Sequence, residues 1–302
     1  MALHVDSLLD RLQLKSKLRF WRIAALLLLI ICVGVTSVGT KNIGGKMQNH
    51  IARVKIEGMI VEDQKQYDLL EELAEDNRVK AVILSIDSPG GTASGGEALF
   101  IALRELAAKK PIVATMHGMA TSGGYMAALG ADRIYARQGT ITGSIGVILQ
   151  TAEFTEMAKK LGIEPITVKS GEFKATPSFA EKFTAEQRAS IQAVIDSFHG
   201  YFKTITAERR GLSPAAVDKI SQGQVYSGAQ AVELKLVDAL GGEKEAIAWL
   251  ETEKKLAKEL PVLDAEVEEE PKSLLEKIST FASSKGMGDV LWRQRGLMAH
   301  WQ

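Results

Sequence analysis

Two largely apolar stretches without strict polar alternation, Val79 to Ile86 and Ile112 to Met116, constrain the fold more than any other feature of the chain. A strand without polar alternation has both faces buried, the habit of parallel strands covered by helices on each side. Parallel neighbours need a crossover, and the amphipathic segment from Ala98 to Ala108, stopped by Pro111, supplies one. Upstream, Ala52 to Ile60 reads as a strand and Tyr67 to Ala74 as a helix. Downstream, residues 132–136, 140–148 and 166–168 read as strands, and 151–161 as a helix. This succession predicts an α/β domain around a mostly parallel sheet. Helices dominate after it: 184–209, opened by a Thr184 cap with Gln187 three residues on, then 214–220, 228–234, 243–260 and 274–281.

The amino terminus follows a different pattern. Arg11, Lys15, Lys17, Arg19 and Arg22 precede Ile23 to Thr40, which holds no charged side chain and approaches the roughly 20 residues a bilayer crossing needs. With Phe20 and Trp21 at its inner edge and the basic cluster before it, the segment predicts a single-pass anchor in the cytoplasmic membrane. Its amino terminus would stay in the cytoplasm and the folded domain would lie on the extracytoplasmic side. A cleaved signal peptide is the alternative. The expected organisation is a cytoplasmic segment over 1–22, an anchor over 23–40, a tether over 41–50, a folded domain over 51–250, and a helical, acidic extension over 251–302.

Composition narrows the function. Lys plus Arg (37) equals Asp plus Glu (37), so no global basic excess points to nucleic acid. The only cysteine, Cys32, lies inside the apolar amino-terminal run, which excludes an intramolecular disulfide and a cysteine-based metal or thiol site. No internal repeat is present.

Ser122 stands where the run from Ile112 should turn into the Ala-rich segment after Tyr125, a seat at which a hydroxyl is backed by helix amides. Gly123 and Gly124 leave room for a substrate backbone. A serine hydroxyl needs a base before it is a useful nucleophile. His117 and His199 are the histidines of the folded region that lie outside the tether, and neither has an evident carboxylate to orient it. Lys169 and Lys174, just after the apolar triplet Ile166 to Val168, are the other choice, because burial can leave a lysine amine able to accept a proton. Ser88 to Gly91 closes a buried strand at the sheet edge where ligands bind, and its paired glycines can present amides to a developing oxyanion.

Taken in order, Asp87 to Gly91, Met119 to Tyr125, Ile141 to Gly146 and Lys169 to Lys174 resemble the motifs of the signal peptide peptidase A family of Ser-Lys proteases, and Gly223 to Gly242 is similar to the family's closing motif. The resemblance spans about residues 51–242 and implies a ClpP/crotonase-like fold. It implies Ser122 as nucleophile, Lys174 as general base and Ser144 as the group orienting the lysine. Gly90 or Gly91, with Gly123, would form the oxyanion hole. The implied substrates are apolar peptides such as signal-peptide remnants at the membrane, with no metal or other cofactor. In this family the serine and lysine of one site come from neighbouring copies of the domain, so a single copy implies a homo-oligomer with shared sites. Ala175 departs from the acidic residue often found after the lysine. Met119 and Tyr125 are the expected pocket residues. Two other readings stand beside this one: a crotonase-like acyl-CoA enzyme, and a non-catalytic membrane scaffold of the same fold.

Overall fold

The computed structural model describes residues 21, 22, 25, 26 and 48–267. Residues 1–265 form one unit and 266–302 a second. The expected anchor, apart from Ala25 and Leu26, and the expected helix over 274–281 lie outside the described residues. Among the described residues no helix is long and apolar enough to cross a membrane.

An eight-stranded sheet organises the first unit, its main path running β6-β5-β3-β2-β1-β8. The strands are β1 (His50–Ile60), β2 (Val79–Gly91), β3 (Ile112–Thr121), β4 (Arg133–Ala136), β5 (Ile141–Gly143), β6 (Val225–Ser227), β7 (Ala239–Leu240) and β8 (Val262–Ala265). All pairs are parallel except β5 with β6. The two apolar runs form the centre: Val82, Ile83, Leu84, Ile112, Val113 and Ala114 are completely buried. β3 serves two partners in turn, β4 along Val113 to Met116 and β5 along Met119 to Thr121. That division carries the strand past the end of β4 and places Thr121 and Ser122 at the carboxyl edge of the sheet.

Helices α1 (Gln64–Glu75), α2 (Ala93–Lys109) and α3 (Gly123–Leu129) follow β1, β2 and β3. α2 is capped by Thr92, whose side chain accepts from the Gly95 amide, and buries Leu99, Leu103 and Leu106 along one face. Each such leucine contributes about 1.5–3 kcal/mol of hydrophobic stabilisation. α3 is buried at all seven positions. It is apolar all round because it lies within the core beside β2, β3, α2 and the long helix that follows. The remaining helices are α4 (Thr155–Lys160), α5 (Ala185–Arg210), α6 (Pro214–Ile220), α7 (Gly228–Glu233) and α8 (Glu243–Thr252). The Thr184 cap is present as a reciprocal box with Gln187 at 3.2 Å in each direction.

Several elements differ from expectation. β5 stops at Gly143 because Gly143 and Ser144 take positive φ values of 85° and 51°, which an extended ladder cannot continue. Residues 166–168 form no strand, with Ile166 and Val168 86% and 96% exposed. The helix expected over 243–260 ends at Thr252, and Lys255 and Glu259 are left-handed at φ 56° and 59°. β8 then pairs with β1, so the sheet includes residues beyond 250.

Tyr125 is completely buried and donates its hydroxyl to the Leu236 carbonyl at 2.9 Å, joining α3 to the segment before β7. Burial pushes the phenol well above its ordinary pKa. Tyr125→Phe leaves that carbonyl without its donor and is expected to cost about 1–2 kcal/mol. The urea midpoint should fall with the m-value unchanged, and an unaltered midpoint would show the bond to be dispensable.

Candidate active site

The carboxyl ends of β2 and β3 meet as bare backbone. Gly90 has φ 104°, and a methyl group on it would lie 2.8 Å from both the Gly123 nitrogen and the Ser122 Cβ. A methyl group on Gly91 would lie 1.7 Å from the Ile60 carbonyl oxygen. Both positions therefore require glycine, and the pair brings the Pro89 to Thr92 turn against the start of α3. Ser88 fixes this turn from beneath, donating to the Gly58 carbonyl at 2.6 Å and accepting from the Gly90 amide at 3.0 Å.

Ser122 caps α3 at φ 52° and ψ −120°, a sparsely populated conformation for a residue with a side chain. Its amide donates to the Gly143 carbonyl and its carbonyl accepts from Met126, both at 2.9 Å. These bonds hold the turn while the side chain borders a cleft of about 570 Å³. Ser144, also left-handed, borders the same cleft and donates its amide to the Gln224 carbonyl at 2.7 Å. Ser122, Ser144, Gly90, Gly91 and Gly123 thus converge from three separate sequence motifs. Because the Gly90 amide is taken by Ser88, Gly91 is the member of the pair left to offer an amide to the cleft, beside Gly123.

Lys174 is not among the residues lining this cleft. It is exposed, in a turn closed by its amide donating to the Gly171 carbonyl at 3.1 Å, and Ala175 follows at φ 62°. Lys169 is ion-paired with Glu181 and is thereby removed as a competitor for the role of a free amine. Neither histidine replaces them. His117 bonds Ser85 through Nε2 at 2.9 Å, His199 bonds the Ser221 carbonyl through Nε2 at 2.7 Å, and neither lines the cleft.

The pocket expectation is corrected. Tyr125 points into the core, and Met119 lies on β3 with its amide donating to Asp87 at 3.0 Å; neither lines the cleft. Apolar lining comes instead from Met59, Met126 and the α5 face of Ile191, Val194, Ile195 and Phe198. The spacing of those four residues along one helix face was the available sequence signal. Tyr201 and Glu97 add the polar exceptions, and the Tyr201 phenol is pushed up by burial and by the nearby Glu97 and Glu208 carboxylates.

The parallel α/β domain thus holds Ser122 on a constrained strand-to-helix turn, in an apolar cleft beside paired glycines. The model of peptidase family S49 matches residues 104–257. A Synechocystis protein provisionally named a protease is 34% identical over 249 residues, covering 80% of this chain and 89% of that protein. Protease 4 of Haemophilus influenzae is 35% identical over 265 residues, covering 83% of this chain and 43% of its own length. The chloroplastic serine protease SPPA of Arabidopsis thaliana is 30% identical over 273 residues, covering 85% of this chain and 39% of its own. The chain belongs to peptidase family S49, and it is a serine peptidase.

Gly90→Ala places a methyl group against Ser122 and Gly123 at a φ that alanine resists. It is expected to cost about 1–3 kcal/mol of stability. A denaturation midpoint equal to the wild type's would contradict the close backbone approach.

Proposed function

We propose that the protein is a membrane-anchored endopeptidase that cleaves apolar peptides, such as released signal peptides, through Ser122 and a Lys174 contributed by a neighbouring copy. The observation that carries this reading is the division of the machinery. Ser122, Ser144 and the glycine amides share one cleft, whereas Lys174 lies on an exposed segment outside it. That segment also displays Leu161, Ile163, Ile166, Val168, Phe173 and Phe179, each more than half exposed. A run of uncovered large apolar side chains is the signature of a surface meant to be covered. Docking it against a second copy would bury these groups and carry Lys174 towards a Ser122 cleft.

The chemistry then follows from the groups present. Lys174, as a neutral amine, takes the Ser122 hydroxyl proton while the oxygen attacks the peptide carbonyl carbon. The Gly91 and Gly123 amides stabilise the resulting oxyanion. Lys174 returns the proton to the leaving amine as the C–N bond breaks, leaving an acyl-enzyme. Water then attacks the ester, giving its proton to the same lysine, which returns it to the Ser122 oxygen as the acyl–oxygen bond breaks and the carboxylic product leaves. Ser144, at the cleft wall, would accept or donate a hydrogen bond to hold the amine in line. The cleft's aliphatic and aromatic lining supports apolar substrates. The uncharged run over 23–40 supports an anchor that would place this chemistry at the extracytoplasmic membrane surface.

Turnover of a fluorogenic apolar peptide by the detergent-solubilised chain tests the assignment. Ser122→Ala and Lys174→Ala should each reduce kcat/KM by at least about 1000-fold, as loss of a member of one catalytic unit does. Activity that survives either substitution would remove that residue from the mechanism.

A further inference from the structure

Among the described residues, Glu97 is the only carboxylate lining the cleft that holds Ser122. It lies on α2 directly after Gly96, where a methyl group would meet the Gly123 Cα at 3.5 Å and the Met126 sulfur at 3.3 Å. Glu97 therefore sits within a residue of the contact between α2 and the turn that carries the serine. Of the other half-buried acidic groups, Asp76, Asp132, Glu181 and Glu243 have cationic partners in Arg78, Arg104, Lys169 and Arg53, and Glu251 accepts from the Glu259 amide. No hydrogen bond or ion pair engages Glu97 among the described residues. Its own helix offers none either, because the positions three and four residues away on each side are Ala93, Ser94, Phe100 and Ile101.

A carboxylate without a cation, set in a cleft whose other side chains are largely aliphatic and aromatic, is a costly arrangement unless a ligand completes it. We infer that Glu97 forms a subsite for a positively charged side chain or amine of the bound peptide, so that the preferred substrate is apolar with one basic residue near the scissile bond. The inference rests on the peptidase reading for the nature of the ligand. It adds a discrimination that the apolar lining cannot supply, because a buried or half-buried polar group rejects partners that leave it unpaired. Glu97 is a specificity residue under this proposal and takes no part in bond making.

Binding separates this proposal from catalysis. The full chain carrying Ser122→Ala, in detergent, is titrated into a labelled apolar heptapeptide in which one lysine is moved through the positions. Norleucine at the same position serves as the comparison. At one position or two adjacent ones the lysine peptide should bind about 2- to 5-fold tighter, the range expected for a single partly exposed charge pair. Adding Glu97→Gln should erase the difference, raised salt should shrink it, and Glu97→Lys should favour a glutamate peptide instead. Equal affinities for the lysine and norleucine peptides at every position, or a preference that survives Glu97→Gln, would overturn the subsite. Wild-type hydrolysis of the norleucine peptide, measured alongside, reports on the peptidase reading alone. Lysine-selective binding without any hydrolysis would support the subsite and remove the peptidase reading.

Discussion

Everything at the candidate site depends on two backbones approaching with no side chain between them. Gly90 and Gly91 close β2 against Ser122 and Gly123 so tightly that a single methyl group on Gly90 would meet the serine's own Cβ. The approach holds Ser122 in its left-handed conformation and leaves the hydroxyl at the cleft. It also brings Gly91 and Gly123 together at the cleft, where the proposed reaction would need their amides. The sheet makes this possible because β3 changes partner from β4 to β5 before it ends, carrying its last residues beyond the covered core.

A second constraint is the imbalance of the chain's surface. The core around β1 to β3 is almost completely excluded from solvent, while the segment between β5 and α5 buries little of its apolar content. α4 has no buried residue at all. The exposed Leu, Ile, Phe and Val of that segment support the second copy proposed above as its cover. The base proposed for Ser122 lies on that same segment, so the two observations support one reading: burial of the segment and completion of the site would be a single event.

Long-range order was legible where the side-chain pattern was strong. The non-alternating runs identified β2 and β3 and their parallel pairing, and the Thr184 and Gln187 spacing marked the start of α5 correctly. β4 and β5 were legible although short, but β6, β7 and β8 were not, because they extend over two to four residues and owe their pairing to neighbours remote in sequence. The strand expected over 166–168 illustrates the reverse error: Ile166, Thr167 and Val168 have the right propensity and no strand beside them. The turns that carry Ser122 and the glycines to the cleft were legible because glycine and serine motifs mark turns, whereas Ser144 was singled out only by the family resemblance. Tyr125 could not, since α3 is apolar on every face and its local pattern does not distinguish the cleft side from the core. Glu97 looks in sequence like any helix-surface carboxylate, and only the folded chain reveals its apolar surroundings.

The claim that one site draws on two copies is tested most directly by assembling two inactive variants together. Ser122→Ala and Lys174→Ala chains, co-expressed in equal amounts and purified as one assembly, should recover about a quarter of wild-type peptide hydrolysis if they mix at random in a symmetric oligomer. That fraction of sites would combine an intact serine with an intact lysine. No recovery from an assembly that demonstrably contains both variants would place serine and base within a single copy, and would contradict the shared site.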